Sequence, residues 1–195
     1  TEFGHVLNFE QPLEQLLRTV ANSIREATPF QAVLISVYEK DTGLLRRVTG
    51  VGFPTETLAE LMSRKQPLGS VQQMLKPQFR ISRSYFIPID EAPIIPADVH
   101  LVTLDLEDKA EKSANAWDPD DLLIIPLQNE QGEPLGLISF DAPRDGLRPD
   151  RATIEALEIF AGEASLAIVN HTRFVELRSQ VDTLSSGLER QQRLI

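Results

Sequence analysis

The apolar positions of this chain fall into a readable order from residue 12 onward. Leu13, Leu16, Leu17, Val20, Ala21 and Ile24 recur at helical spacing and predict an amphipathic helix over roughly residues 11–27. Pro12 suits its first turn, and Thr28-Pro29 ends it because the residue before a proline avoids the α region. Two β-rich runs follow, 31–39 and 44–52, with Lys40-Asp41-Thr42-Gly43 between them as a hairpin loop. Thr55 is placed as the N-cap of a short helix over 55–65, with Leu58, Leu61 and Met62 on one face. Ser70 to Leu75 predicts a second short helix, Phe79 to Ile87 a third strand, and Val99 to Leu106 a further short strand. Runs 122–128 and 134–141, joined by Asn129-Glu130-Gln131-Gly132, form a second hairpin. Pro126 points to an edge or bulge position in its first strand.

Asp150 then caps a long helix whose buried face is Ile154, Leu157, Phe160, Ala161, Ala164, Ala167 and Ile168. That helix does not stop where a domain core would release it. Leu177, Val181, Leu184, Leu188, Gln191 and Ile195 are spaced 4, 3, 4, 3, 4, which is a heptad seam. Continuous helix from 150 to 195 spans on the order of 70 Å. The seam predicts a parallel coiled coil pairing two copies through Leu177, Val181, Leu184 and Leu188. The alternative is a single helix with a solvated far end, and Gly187 and Gln191 weaken the seam. Residues 1–10 carry no period and read as a tail, 11–174 as one domain, and 175–195 as its exit helix.

Charge is unevenly spread. The 195 residues carry 29 acids against 19 Lys and Arg, a net charge of −10, with pI near 4.8. Residues 90–121 alone hold ten acids against Lys109 and Lys112. A connection of that length inside one domain marks a lid or binding loop. The acidity argues against charge-driven binding to nucleic acid or to an anionic membrane. No apolar run is long enough to span a bilayer and no export signal opens the chain, so a cytoplasmic location is expected. Zero cysteines exclude disulfides, thiolate metal sites, cysteine nucleophiles and a thioether-linked bilin.

Between Leu61 and Ile89 the bias reverses: Arg64, Lys65, Lys76, Arg80 and Arg83 stand without an acid among them, interleaved with Phe79, Tyr85 and Phe86. Arg80, Arg83, Tyr85 and Phe86 are candidates to hold a small anionic or ring-bearing ligand, or else the cations offset the acidic segment across one face. Trp117 either stacks on such a ligand or plugs the core where the acidic segment ends. Asp118-Pro119-Asp120-Asp121 reads as a turn, lacking the spacing of a calcium loop. His5, His100 and His171 are too scattered for a metal motif. Gly50-Val51-Gly52 lacks the third glycine and following helix of a dinucleotide fingerprint, and no nucleophile motif appears.

The stretch LLIIPLQNEQGEPLGLISFDAPRDGLRPDRATIEALEIFAGEASLAIVNHTRF resembles the closing half of a GAF domain: an "hhhhPL" strand, an "hhGhhSh" strand, then a helix of the form "LExFAxxAxhAIxN". RISRSYFIP, with Trp117-Asp118-Pro119-Asp120-Asp121-Leu122 later, is similar to a bacterial branch found in multidomain sensor proteins. The resemblance covers about residues 11–174. It implies an α+β fold with a central antiparallel sheet of about six strands. The N- and C-terminal helices would pack on one face, and short helices and loops would enclose a pocket on the other. It also implies a non-enzymatic sensory module of a larger protein such as a sensor histidine kinase of a two-component system. Such a module signals to a downstream output domain through a homodimer of terminal helices. The alternative is a dimerisation or relay domain whose pocket is closed by Met62, Met74, Leu75 and Phe79. The methionine-sulfoxide reductases of this family depend on cysteine, which the chain lacks. Phe140-Asp141 is all that matches a cyclic-nucleotide signature.

Overall fold

The computed structural model describes residues 12–105 and 113–194. The expected tail 1–10, His5, the end of the Val99–Leu106 run and Ile195 lie outside the described residues.

The first helix, α1 (Leu13–Ala27), buries Leu17, Val20, Ala21 and Ile24, the stripe its spacing predicts. β1 (Phe30–Glu39) and β2 (Leu44–Val51) form the expected hairpin. Next come α2 (Thr55–Met62), a two-residue β3 (Gln66–Pro67) and α3 (Leu68–Met74). Thr55 is the first helical residue after Pro54 and makes no capping bond, so it is not the N-cap. β4 (Arg80–Ile81), β5 (Ser84–Ile87), β6 (Leu122–Gln128) and β7 (Pro134–Pro143) complete the strands, and α4 (Arg151–Arg193) leaves the domain. Asp150 caps α4 as predicted, its carboxylate accepting from the Thr153 N–H at 2.8 Å.

The sheet is antiparallel throughout and runs β3-β2-β1-β7-β6-β5-β4, seven strands where about six are predicted. The expected strand over 79–87 is a tight hairpin that reverses at Ser82-Arg83, with Ser82 at φ +59°. No glycine announces that turn, because it is held from outside by a buried carboxylate described below. Val99 to Asp105 forms no strand. β6 is an interior strand, yet the β5 ladder ends at Ile124, so beyond it Pro126 meets only Leu137 of β7. The proline therefore occupies a local edge.

Alternation sorts the strands onto two faces. Val33, Ile35, Leu123, Ile125, Ile138 and Phe140 pack with α1 and the first half of α4 in the larger core. Ile124, Leu137, Leu45 and Ile87 face the other way and pack with Val71, Met74, Phe79 and Val99. The terminal helices thus share one face, and the short helices and loop cover the other.

Candidate functional site

A cavity of about 70 Å³ lies on the short-helix face, between the sheet and the cover made by α2, α3 and the loop through Val99–Val102. One basic side chain enters it from the sheet. A bulge between Ile35 and Ser36 sets Arg47 directly across from Ser36, both facing the cover and not the terminal helices. Arg47 is only 4% exposed. Its guanidinium donates to the carbonyls of Leu61 and Arg64 at 3.1 Å and of His100 at 2.7 Å. It thereby ties the end of α2 and the covering loop to the sheet. Among the described residues its Nε has no partner, nor has the hydroxyl of Ser36, itself 1% exposed. Burial, with the nearby Arg64 charge second, presses the Arg47 pKa below its ordinary value.

Arg47 and Ser36 are not among the residues singled out from sequence. The available signal was register: in LLRRVTG, Leu45 and Arg47 alternate onto the same side, so one arginine must point where a leucine is buried. Two acids also touch the cavity. Asp121 is occupied, accepting from the N–H groups of Ile89 (2.9 Å) and Asp118 (2.8 Å) and from Arg148 at 3.0 Å. Asp141 is half-buried and accepts from the Ala142 N–H at 2.7 Å. Burial above all, aided by Asp120 and Asp121, raises its pKa to about 7 against that hydrogen bond and the nearby Trp117 indole.

The residues expected to hold a ligand do not line this cavity. Arg80, Arg83 and Tyr85 lie together in an open groove of about 830 Å³ between α4 and the β6–β7 turn, where Arg173 joins them. That groove is on the terminal-helix side. Glu158 of α4 positions the hairpin there, accepting from Ser82 Oγ and the Arg83 N–H at 2.7 Å and from Ser84 Oγ at 2.8 Å. Burial pushes Glu158 up, but these hydrogen bonds outweigh it and leave its pKa below the ordinary value. Trp117 and Phe86 are elsewhere again. Trp117 is buried in the larger core, edge-on to Phe30 at 5.6 Å, and Phe86 lies 6.1 Å from it beneath the Arg148 guanidinium. Trp117 therefore plugs the core, and the five candidates divide between a groove and a core.

The Asp118–Asp121 turn is closed on itself: its carboxylates take the turn's own N–H groups, Arg148 and Thr103. Among the described residues no cluster of three potential metal ligands occurs. His100 Nε2 stands 3.1 Å from Glu60, and His171 is on the α4 surface.

α4 changes character along its length. Ile154, Leu157, Ala161, Ala164 and Ile168 are buried in the core. Leu177, Val181, Leu184 and Leu188 project from the same helix between 60% and 68% exposed. No helix of the described residues is long and apolar enough to cross a membrane.

A comparison with curated proteins finds no match. Among solved structures the fold is similar to that of a GAF domain/HD domain protein from Geobacter sulfurreducens, with TM-score 0.57, 9% identity, and 83% of this chain and 93% of that one covered. Residues 122 to 287 of a methyl-accepting chemotaxis protein give TM-score 0.57 at 20% identity over 85% of this chain and 92% of that one. A domain assigned to a two-component sensor histidine kinase from Sinorhizobium meliloti 1021 gives TM-score 0.54 at 14% identity, covering 87% and 99%. The sequence pattern of the GAF domain family itself matches residues 12–168, from the start of α1 to the last buried turn of α4. With a helix pair on one face of the sheet and a roofed cavity on the other, the chain belongs to the GAF domain family.

Proposed function

We propose that this chain is a non-enzymatic small-molecule-sensing or regulatory module of a bacterial signalling protein, a sensor histidine kinase or a related output, acting in the cytoplasm as a homodimer whose paired exit helices carry the signal. One observation carries the reading: a single 43-residue helix builds the wall of the core at one end and bears an unpartnered apolar seam at the other. A helix shared in this way passes any rotation or tilt at its packed end to the seam, and from there to a following domain. Family membership and the chemotaxis and kinase proteins named above agree with that placement. The lack of cysteine removes the thiol chemistry that an enzyme of this fold uses.

The test is self-association. Because the chain has no cysteine, single Leu177→Cys and Leu188→Cys variants each cross-link when two α4 helices run parallel and bring the position against itself. An antiparallel pair brings only the position near the seam's middle together. Oxidation should give a disulfide dimer, and Leu177→Lys with Leu184→Lys should give a monomer in sedimentation. A wild-type monomer at all concentrations, together with no cross-link, refutes the dimeric relay. A second reading, a relay with no ligand, is favoured by the smallness of the cavity and by the burial of Met74 and Phe79 beside it. Met62 takes no part in that filling, being 40% exposed.

A further inference from the structure

We propose that the cavity under α2 and α3 is a site for a small monoanion, a short-chain carboxylate or a planar oxyanion of like size, with Arg47 as its counter-charge and Ser36 as a hydrogen-bond donor. The inference deepens the sensory reading and rests on it in one respect only, that the roofed cavity takes a ligand.

The argument begins with a missing charge. A buried guanidinium stays protonated and is normally met by a carboxylate, since desolvating an unpaired ion is costly. Among the described residues no carboxylate forms an ion pair with Arg47. Three carbonyls solvate its terminal nitrogens but bring no net charge, and the charge of a second cation, Arg64, acts against it. Of the two acids on the cavity wall, Asp121 pairs with Arg148 and Asp141 accepts from the Ala142 N–H, so among the described residues neither is bound to Arg47. Two polar atoms that lack partners among the described residues, Arg47 Nε and Ser36 Oγ, belong to cross-strand neighbours on the cavity wall. Unmatched buried donors side by side are rare in folded proteins and call for a partner from outside the chain.

Size then limits the class. A void needs roughly 10–15 Å³ on this measure for one water. The 70 Å³ present holds a few heavy atoms, enough for formate, acetate or nitrate. A nucleotide or tetrapyrrole needs a pocket of at least about 300 Å³ and does not fit beneath this cover. Leu61, Val71, Met74 and Leu137 form an apolar part of the wall that suits a short alkyl tail, beside the polar Gln66, His100 and Ser139 and the acids Asp121 and Asp141.

The experiment follows the thermal unfolding of the full chain while sodium formate, acetate or nitrate is raised against sodium chloride at matched ionic strength. Acetamide serves as the uncharged counterpart of acetate. Binding to the folded state should raise Tm with the logarithm of anion concentration above Kd, by about 5–10 °C at a hundredfold excess. Replacing Arg47 also frees three carbonyls and risks unfolding, so the deciding variant is Ser36→Leu, which fills the cavity with the strand left intact. It should match or exceed the wild-type Tm without added anion and lose the response. Ser36→Ala should weaken the apparent Kd about fivefold. No shift with any of the three anions overturns the proposal, as does an equal shift in Ser36→Leu or an equal shift with acetamide. Dimer formation is measured separately, so loss of the anion site leaves the relay reading standing.

Discussion

Asp141 offers the sharpest test of the electrostatics around the cavity. In the folded chain burial raises its pKa from an ordinary 3.8 to about 7. The native state therefore keeps a proton that the unfolded chain releases from pH ~4 upward. Stability is fully present below the ordinary value, falls as pH rises towards 7, and loses nothing further above. A displacement of that size, at about 1.4 kcal/mol for each tenfold change in affinity, sets a ceiling of ~4 kcal/mol. Because the side chain is only half-buried, solvent relaxation reduces this to about 2–3 kcal/mol. Asp141→Asn removes the charge and keeps an oxygen to accept the Ala142 N–H. The variant should equal wild type at pH 4 and exceed it at pH 8 by about 2–3 kcal/mol, or roughly 5–10 °C in Tm. Urea unfolding of both proteins across pH 4–9 measures the difference, in which every other titrating group cancels. A pH-independent difference, or a variant less stable than wild type at pH 8, refutes the reasoning.

Glu158 should behave oppositely, because its hydrogen bonds hold its pKa down. Its contribution is present above the ordinary carboxylate range and is lost as pH falls through the folded value, so Glu158→Gln should cost about 2 kcal/mol at pH 7 and progressively less as pH falls below the ordinary carboxylate range, read by the same unfolding series. Gly52 has φ +81°, and a Cβ there would stand 1.9 Å from the Gln31 carbonyl oxygen. Gly52→Ala should accordingly cost about 3 kcal/mol, combining left-handed strain with backbone displacement, measurable by urea denaturation.

The parts of this fold that were legible in the sequence are those written in local periodicity. α1, the two long hairpins and α4 each carry a pattern that one chain segment can satisfy alone. The parts that were not legible depend on side chains arriving from far away. The Ser82-Arg83 turn has no turn residue of its own making, since Glu158 supplies its acceptors from 75 or so positions downstream. β3 is two residues long and exists only because β2 is beside it. The basic run from Arg64 to Arg83 was visible as composition, but composition does not say which face a cation takes. Arg80 and Arg83 follow their hairpin to the α4 groove, and the cavity receives Arg47 from a different strand. Trp117 was recognisable as a lone large aromatic, and its burial against Phe30 follows from the size of its apolar surface.

These placements bear on how a filled cavity would be felt at the exit helix. Ser36 points into the cavity while its neighbours Ile35 and Val37 pack on the terminal-helix side, so β1 is common to both faces. Arg47 fastens the cover to β2 through three carbonyls, and an anion drawn to its free Nε competes for the orientation of that same guanidinium. At the far edge of the sheet Glu158 joins α4 to the β4–β5 turn through three hydrogen bonds. A sheet gripped by the cover on one face and by α4 on the other transmits a shift only if that grip is tight. Loosening Glu158 should therefore leave anion binding at the cavity intact while uncoupling it from the helix. In a Glu158→Gln, Leu188→Cys chain, the anion-dependent rise in Tm should persist. An anion-dependent change in cross-linking rate, expected in Leu188→Cys alone if the cavity is coupled to the helix, should disappear. If both responses survive the substitution, the signal does not pass through this contact.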